Sequence, residues 1–251
     1  MFTQSLFSLM KNRFRVMFCL LGFICIQSTL LAQKPAADLL QEIRARLDKV
    51  NDYEATGTMK TNVVFIKSTL ANVKVYFKKP DKLRIKNQNG LSFIPKGSMN
   101  INLNSIFLHT ADFDIIDAGS EAGSGFRIIK ILPKEENNEL VLSTLYIDEK
   151  SLLTRKAKIT TKENGTYELE MTYGKYAAFG LADKLIFTFN TQEYKLPKGV
   201  TFDYDDGSDK MKPAPDNKEK KGRVEITYTS YIINKGVPDE VFLQEDKKIQ
   251  K

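Results

Sequence analysis

Residues Lys74 to Lys86 read KVYFKKPDKLRIK, five lysines and an arginine in thirteen residues, with Val75, Phe77, Leu83 and Ile85 set between them. The four apolar residues occupy odd positions, and Lys74, Lys78, Lys82, Arg84 and Lys86 occupy even ones. Successive side chains of a β-strand point to opposite faces. The stretch is therefore two strands joined at Lys79-Pro80-Asp81, with a wet basic face and a dry apolar one. A basic groove for nucleic acid would concentrate charge without that alternation, so the residues that matter here are the apolar ones.

The same pattern extends outward. Strand signals run over Thr56 to Ile66, Leu145 to Ile147, Thr154 to Thr161, Thr166 to Tyr173, Lys184 to Thr191, Gly199 to Tyr204 and Arg223 to Ile233. Asn164-Gly165 between two of these runs predicts a hairpin with a two-residue type I′ turn, because both residues tolerate positive φ. Upstream, Ala36, Leu40, Ile43, Leu47 and Val50 step by four and three, the stripe of an amphipathic helix that ends at Asn51-Asp52. Residues Asn104 to Thr110 read as a short helix or turn over the sheet, and Asp205 to Lys221, with Pro213 and Pro215, as a long exposed loop. The fold class is mainly β: a curled antiparallel sheet of nine to eleven strands with helices against one face. So many strands in an open sheet favour curling into a barrel or half-barrel.

The first residues carry a different signal. Lys11, Arg13 and Arg15 precede the apolar run Val16 to Ile26, and small Ala32 follows, as in a secretory signal peptide cleaved before Gln33. Residues 1–32 are thus expected to be removed, leaving 33–251 as a single domain. Both cysteines, Cys19 and Cys25, fall in the leader, so the mature chain has no disulfide. Removing the leader's three basic residues leaves 35 basic against 31 acidic, a net charge of +4. Export and this mild excess argue against a nucleic-acid partner and for a periplasmic monomer.

Catalytic groups are sparse. One histidine, His109, and no mature cysteine remove Ser-His-Asp, Cys-His and multi-histidine metal sites. Asp203, Asp205, Asp206 and Asp209 do not keep the order of a calcium loop. Asp112, Asp114 and Asp117 lie along a strand edge with no acid and base roles assignable. The expectation is a non-enzymatic protein without cofactor or metal. What remains is the apolar face: Phe65, Val75, Phe77, Leu83, Ile85, Phe93, Leu169, Met171, Phe187, Phe189, Phe202, Ile226 and Tyr228. The sequence leaves both a filled core and a ligand cavity open for this set.

Four segments also resemble, in order, the LolA-like family of periplasmic lipoprotein carriers. RARLDKVNDYEATGTMKT (Arg44 to Thr61) resembles the family's first helix and strand, and VYFKKPDKLRI (Val75 to Ile85) its strand ending in a basic residue and proline. FDIIDAGSEAGSGFRIIKILPK (Phe113 to Lys134) and LYIDEKSLLTRKAKITTKENGTYELEM (Leu145 to Met171) are similar to the hairpins that follow. The resemblance implies a half-barrel around an apolar cavity, covered by the N-terminal helix and short lid helices. It implies a carrier that shields lipoprotein acyl chains, or another lipid, between an inner-membrane ABC transporter as donor and an outer-membrane acceptor. It also implies a latch on the lid, Lys79 where the family usually has arginine, with Ile106, Phe107 and Leu108 in the lid itself. A lipid-sensing module acting through a protein partner and a plain structural β-protein are the alternatives.

Overall fold

The computed structural model describes residues 34–63, 66–80, 82–87, 112–136, 138–163, 165–190 and 221–242. The chain divides into two units, Met1–Pro35 and Ala36–Lys251, and every element below belongs to the second. The expected signal peptide, the lid residues Asn104 to Thr110 with His109, and the strand Gly199 to Tyr204 lie outside the described residues, as does the expected loop apart from Lys221.

The amphipathic stripe forms helix α1 (Ala36–Leu47), which buries Leu39, Leu40 and Ile43. Asp38 in its first turn and Arg44 and Arg46 in its last complement the helix dipole. Val50, part of the predicted stripe, is buried beyond the helix end. That end has no glycine cap. Instead Lys79 donates from Nζ to the Asp48 carbonyl at 2.9 Å, and the Asn234 side chain donates to the Lys49 carbonyl at 2.7 Å while accepting from the Asn51 N–H at 2.7 Å.

Among the described residues ten strands follow: β1 (Asp52–Val63), β2 (Ile66–Lys78), β3 (Lys82–Asn87), β4 (Phe113–Ser120), β5 (Arg127–Pro133), β6 (Leu140–Asp148), β7 (Leu153–Thr161), β8 (Gly165–Thr172), β9 (Lys184–Asn190) and β10 (Lys221–Ile233). They make one antiparallel sheet in the order β3-β2-β1-β10-β9-β8-β7-β6-β5-β4, so β3 and β4 are its edges and it does not close into a barrel. Laid flat, ten strands would span roughly 45 Å, whereas α1 is about 18 Å long. Yet Val73 and Val75 on β2 and Ile129 and Ile131 on β5 are all at most 2% exposed and share one hydrophobic cluster with α1. The sheet is curled, as its strand number predicts, into a half-barrel with α1 on its concave face.

Two local expectations are corrected. Thr56 to Ile66 is not one strand: the chain reverses between Val63 and Ile66, which pair with each other, and β2 starts seven residues before Val73. No glycine or proline marks that reversal, so cross-strand pairing along the whole of β1 wins over turn chemistry. In the β7–β8 hairpin Thr161 pairs with Gly165, leaving three residues between them rather than the two of a type I′ turn. Gly165 still has a positive φ of 65°, here at the residue that rejoins the ladder.

Three residues of the basic face of Lys74 to Lys86 are paired with carboxylates. Lys74 pairs with Glu54 at 2.6 Å, and Lys78 and Lys82 share Asp239 at 3.0 and 2.8 Å. Exposed pairs of this kind contribute about 0–1 kcal/mol each.

A buried charge stands at the other end of the sheet. Arg127 on β5, 2% exposed, reaches Asp117 Oδ2 at 2.6 Å and Glu149 Oε1 at 2.5 Å. The hydrogen bond from Arg127 holds the Asp117 carboxyl below its ordinary value, with the Gly119 N–H adding to it. A depressed carboxylate stabilises the fold fully above its unfolded value near 3.8 and loses that contribution as the pH falls through its lower folded value. Urea melts should therefore show lower stability at about pH 3 than at about pH 5, and Arg127→Met should shrink the difference.

Candidate functional site

The apolar side chains of the sheet gather on its concave face. Val75 lies opposite Ile85 and Phe77 opposite Leu83, while Phe187 stands between Leu169 on β8 and Val224 on β10. Val75, Phe77, Leu169, Met171, Phe187, Phe189 and Ile226 are buried; Leu83, Ile85 and Tyr228 are partly buried against the same cluster. Phe65, Phe93, Phe202, Ile106, Phe107 and Leu108 lie outside the described residues. Most of the predicted lining is thus packed on itself: the Phe187 ring lies 5.3 Å from Tyr167 and 5.1 Å from Phe189, and Phe77 stacks on Tyr53 at 5.3 Å.

An unfilled pocket of about 130 Å³ remains at one end, under the C-terminal half of α1. Of the apolar-face residues expected to line a cavity, it takes only Met171 and Tyr228. Ile43, Arg46 and Leu47 come from the helix, Tyr53 from β1, Tyr231 from β10, and Leu152, Leu153 and Thr154 from the β6–β7 turn and the start of β7.

Two β-bulges put these residues there. On β10, Thr56 pairs with Ser230 but Gly57 with Tyr228, so Thr229 is the extra residue. Ile226 and Tyr228, on even positions, face inward before the bulge, and Tyr231, on an odd one, lines the pocket after it. On β7, Tyr146 pairs with Lys156 but Ile147 with Thr154, so Arg155 is extra. Ala157 and Ile159 are buried on odd positions, and Thr154 joins the inner face from an even one. A bulge adds one residue to one strand, bends it and reverses the parity beyond. Strict alternation misses both pocket residues for that reason.

The tyrosines form a neutral wall. Tyr173 Oη donates to the Thr154 carbonyl at 2.8 Å, and Tyr231 Oη to the Ala182 carbonyl at 2.7 Å. Tyr231 packs against Tyr53, Tyr176 and Tyr228 with centroids 4.8–5.3 Å apart. Burial pushes the phenols of Tyr53, Tyr173, Tyr228 and Tyr231 up, so all stay protonated at physiological pH. Leu152 stands in the left-handed region at φ 54°, a conformation that costs a leucine about 1–2 kcal/mol. Its carbonyl and that of Ser151 accept hydrogen bonds from Arg46 Nη1, which clasps the helix to this turn. Among the described residues no cluster of His, Cys, Asp or Glu could hold a metal ion.

No family model matches the sequence, and no curated protein does. Solved structures similar to this chain include a Vibrio parahaemolyticus domain named for outer membrane lipoprotein sorting, 11% identical, covering 82% of this chain and 95% of its own at a TM-score of 0.49. A DUF1329 family protein from Desulfovibrio piger is 14% identical over 82% and 95%, TM-score 0.49, and a LolA superfamily protein from Nitrosomonas europaea 9% identical over 82% and 97%, TM-score 0.48.

Lys79, the expected latch, binds the end of α1. Besides the Asp48 carbonyl it meets Asp48 Oδ1 at 3.1 Å, and its own N–H donates to the Asn51 carbonyl. The side chain is 25% exposed and its partner 45%, so the pair contributes at most about 1 kcal/mol. Lys79→Leu should leave the thermal midpoint within about 2–4 °C of wild type while freeing the helix end. Faster release of a bound fluorescent fatty acid is the expected readout, and an unchanged rate would remove Lys79 from the mechanism.

Proposed function

We propose that the protein is a soluble carrier of the periplasm that binds the acyl chain of a lipoprotein, or of another lipid, against the concave face of its half-barrel. The observation that carries the reading is the pocket, apolar and tyrosine-walled apart from Arg46, beneath a helix that buries three side chains. Only Leu39, Leu40 and Ile43 of α1 are buried, and exposing three such side chains costs roughly 5–9 kcal/mol. A chain of about twelve methylenes recovers roughly 10 kcal/mol on leaving water. The exchange of helix for chain is near balance, which a carrier that must also release its cargo requires. The pocket itself is smaller than the ~300–1,000 Å³ of drug-sized sites, so a long chain enters only if α1 lifts.

In this reading no bond is made or broken, and no cofactor takes part. The donor is an inner-membrane ABC transporter and the acceptor lies at the outer membrane. Native mass spectrometry and lipid extraction of protein purified from its host envelope should reveal bound lipid, and the purified protein should take up a fluorescent fatty acid. Absence of both would sink the carrier. The close packing of Phe77, Phe187 and Phe189 favours a second reading, a structural β-protein with a filled core, which predicts that negative outcome.

A further inference from the structure

We infer that the pocket under α1 is a subsite for an amphiphile with an anionic head: a short apolar group seats among the tyrosines and an oxyanion lies on Arg46 and Thr154. The inference deepens the carrier reading and rests on it only for the direction of approach, from beneath the helix.

Three observations converge. Arg46 lines the pocket and, unlike Arg44, Arg127, Arg155 and Arg223, has no carboxylate partner among the described residues. Its Nη1 donates to the carbonyls of Ser151 and Leu152, and the guanidinium carries further N–H donors besides. Thr154, only 4% exposed, turns into the pocket past the β7 bulge, and its hydroxyl has no hydrogen-bond partner among the described residues. A buried hydroxyl left unpaired is costly, so a ligand oxygen that reaches it is favoured. The rest of the wall is apolar or neutral: Ile43, Leu47, Met171 and the protonated tyrosines.

Charge selects the sign. A cationic head would face the guanidinium of Arg46, the one charged residue of the lining among the described residues. Of the carboxylates on the flanking loops, Asp148 is paired with Arg155 at 3.0 Å; Asp183, which is not among the pocket's lining, accepts from the Lys175 N–H at 3.2 Å through Oδ2, and its buried Oδ1 has no hydrogen-bond partner among the described residues. Volume selects the length. About 130 Å³ is close to the ~150 Å³ cavity that takes a benzene ring, so the seated apolar part is about six carbons long.

Titration calorimetry with hexanoate, hexyl phosphate, hexanol and hexylammonium tests this on the full mature chain. Hexanoate or hexyl phosphate should bind roughly tenfold or more tighter than hexanol, and hexylammonium weakest. Which of the two anions is favoured identifies a carboxylate or a phosphate head. Arg46→Gln should bring the anions down to the level of hexanol. Thr154→Val keeps the volume, so it should weaken anion binding several-fold while raising the melting temperature of the empty protein by about 2–4 °C. Equal binding of hexanol and both anions, or an anion preference unchanged in both variants, overturns the inference. Uptake of a long-chain fluorescent fatty acid is measured beside it: uptake without head-group preference overturns only this subsite, and preference without uptake overturns only the carrier.

Discussion

Gly57→Ala is expected to destabilise the protein by roughly 3 kcal/mol or more, lowering the melting temperature by about 6–12 °C. A Cβ at Gly57 would lie 2.4 Å from the Thr227 carbonyl oxygen and 3.1 Å from Tyr228 Cα, both backbone atoms of the neighbouring strand. A side chain can swing away from such a contact, but a central strand held on both sides cannot. β1 pairs with β2 on one flank and β10 on the other, and the bulge opposite Gly57 sets where Tyr228 and Tyr231 point. The substitution should therefore also weaken uptake of a fluorescent fatty acid, beyond what the fraction unfolded explains. Ile232→Ala on the same pair of strands, 52% exposed, is the control and should move stability by no more than about 0.5 kcal/mol. A melting temperature for Gly57→Ala within a degree or two of that control would show that the bulge can relax and does not fix the pocket.

Ile43→Ala should cost about 2–5 kcal/mol in stability and at the same time improve binding of longer chains. Ile43 is 3% exposed, one of the three side chains that anchor α1, and it also lines the pocket. Truncation removes three carbons from the pocket wall and loosens the lid over it. In a carrier the new space is filled by ligand at about 0.8 kcal/mol per methylene, so the optimum chain should lengthen by two to three carbons, each added carbon tightening binding roughly fourfold. In a protein with a filled core only the loss would be seen. Urea melts with and without octanoate separate the two outcomes, because a ligand that binds the folded state shifts the transition in proportion to its affinity.

The fold was legible where side chains keep strict alternation. Val75, Phe77, Leu83 and Ile85 fall on the inner face together because β2 and β3 pair without a bulge, Lys74 opposite Lys86 and Val75 opposite Ile85. The helix was legible from one stripe. The pocket was only partly so: Met171 and Tyr228 keep the parity of their strands, but Tyr231 and Thr154 lie past bulges that no single residue type announces. Arg46 falls between the apolar positions of the α1 stripe, where sequence alone gives it no role. Nothing in its spacing distinguishes it from Arg44, which pairs with Asp48 in the next turn, and only the approach of the Ser151 and Leu152 carbonyls draws it inward. The cap by Asn234 was equally hidden, since it joins residues more than 180 positions apart in the chain.

That cap bears on how the chain comes to be folded at all. Asn234 ties the last strand to the junction of the first helix and first strand, and β1 takes β10 as one of its two partners, Tyr53 lying opposite Ile233. This pairing closes a loop of almost the entire domain, whereas every other neighbouring pair in the sheet joins strands consecutive in sequence, so it carries the largest loop-closure cost of the sheet. A chain synthesised from its N-terminus cannot seat β1 between two neighbours until β10 has been made. The first helix and strand thus stay unlocked until β10 arrives to pair with β1.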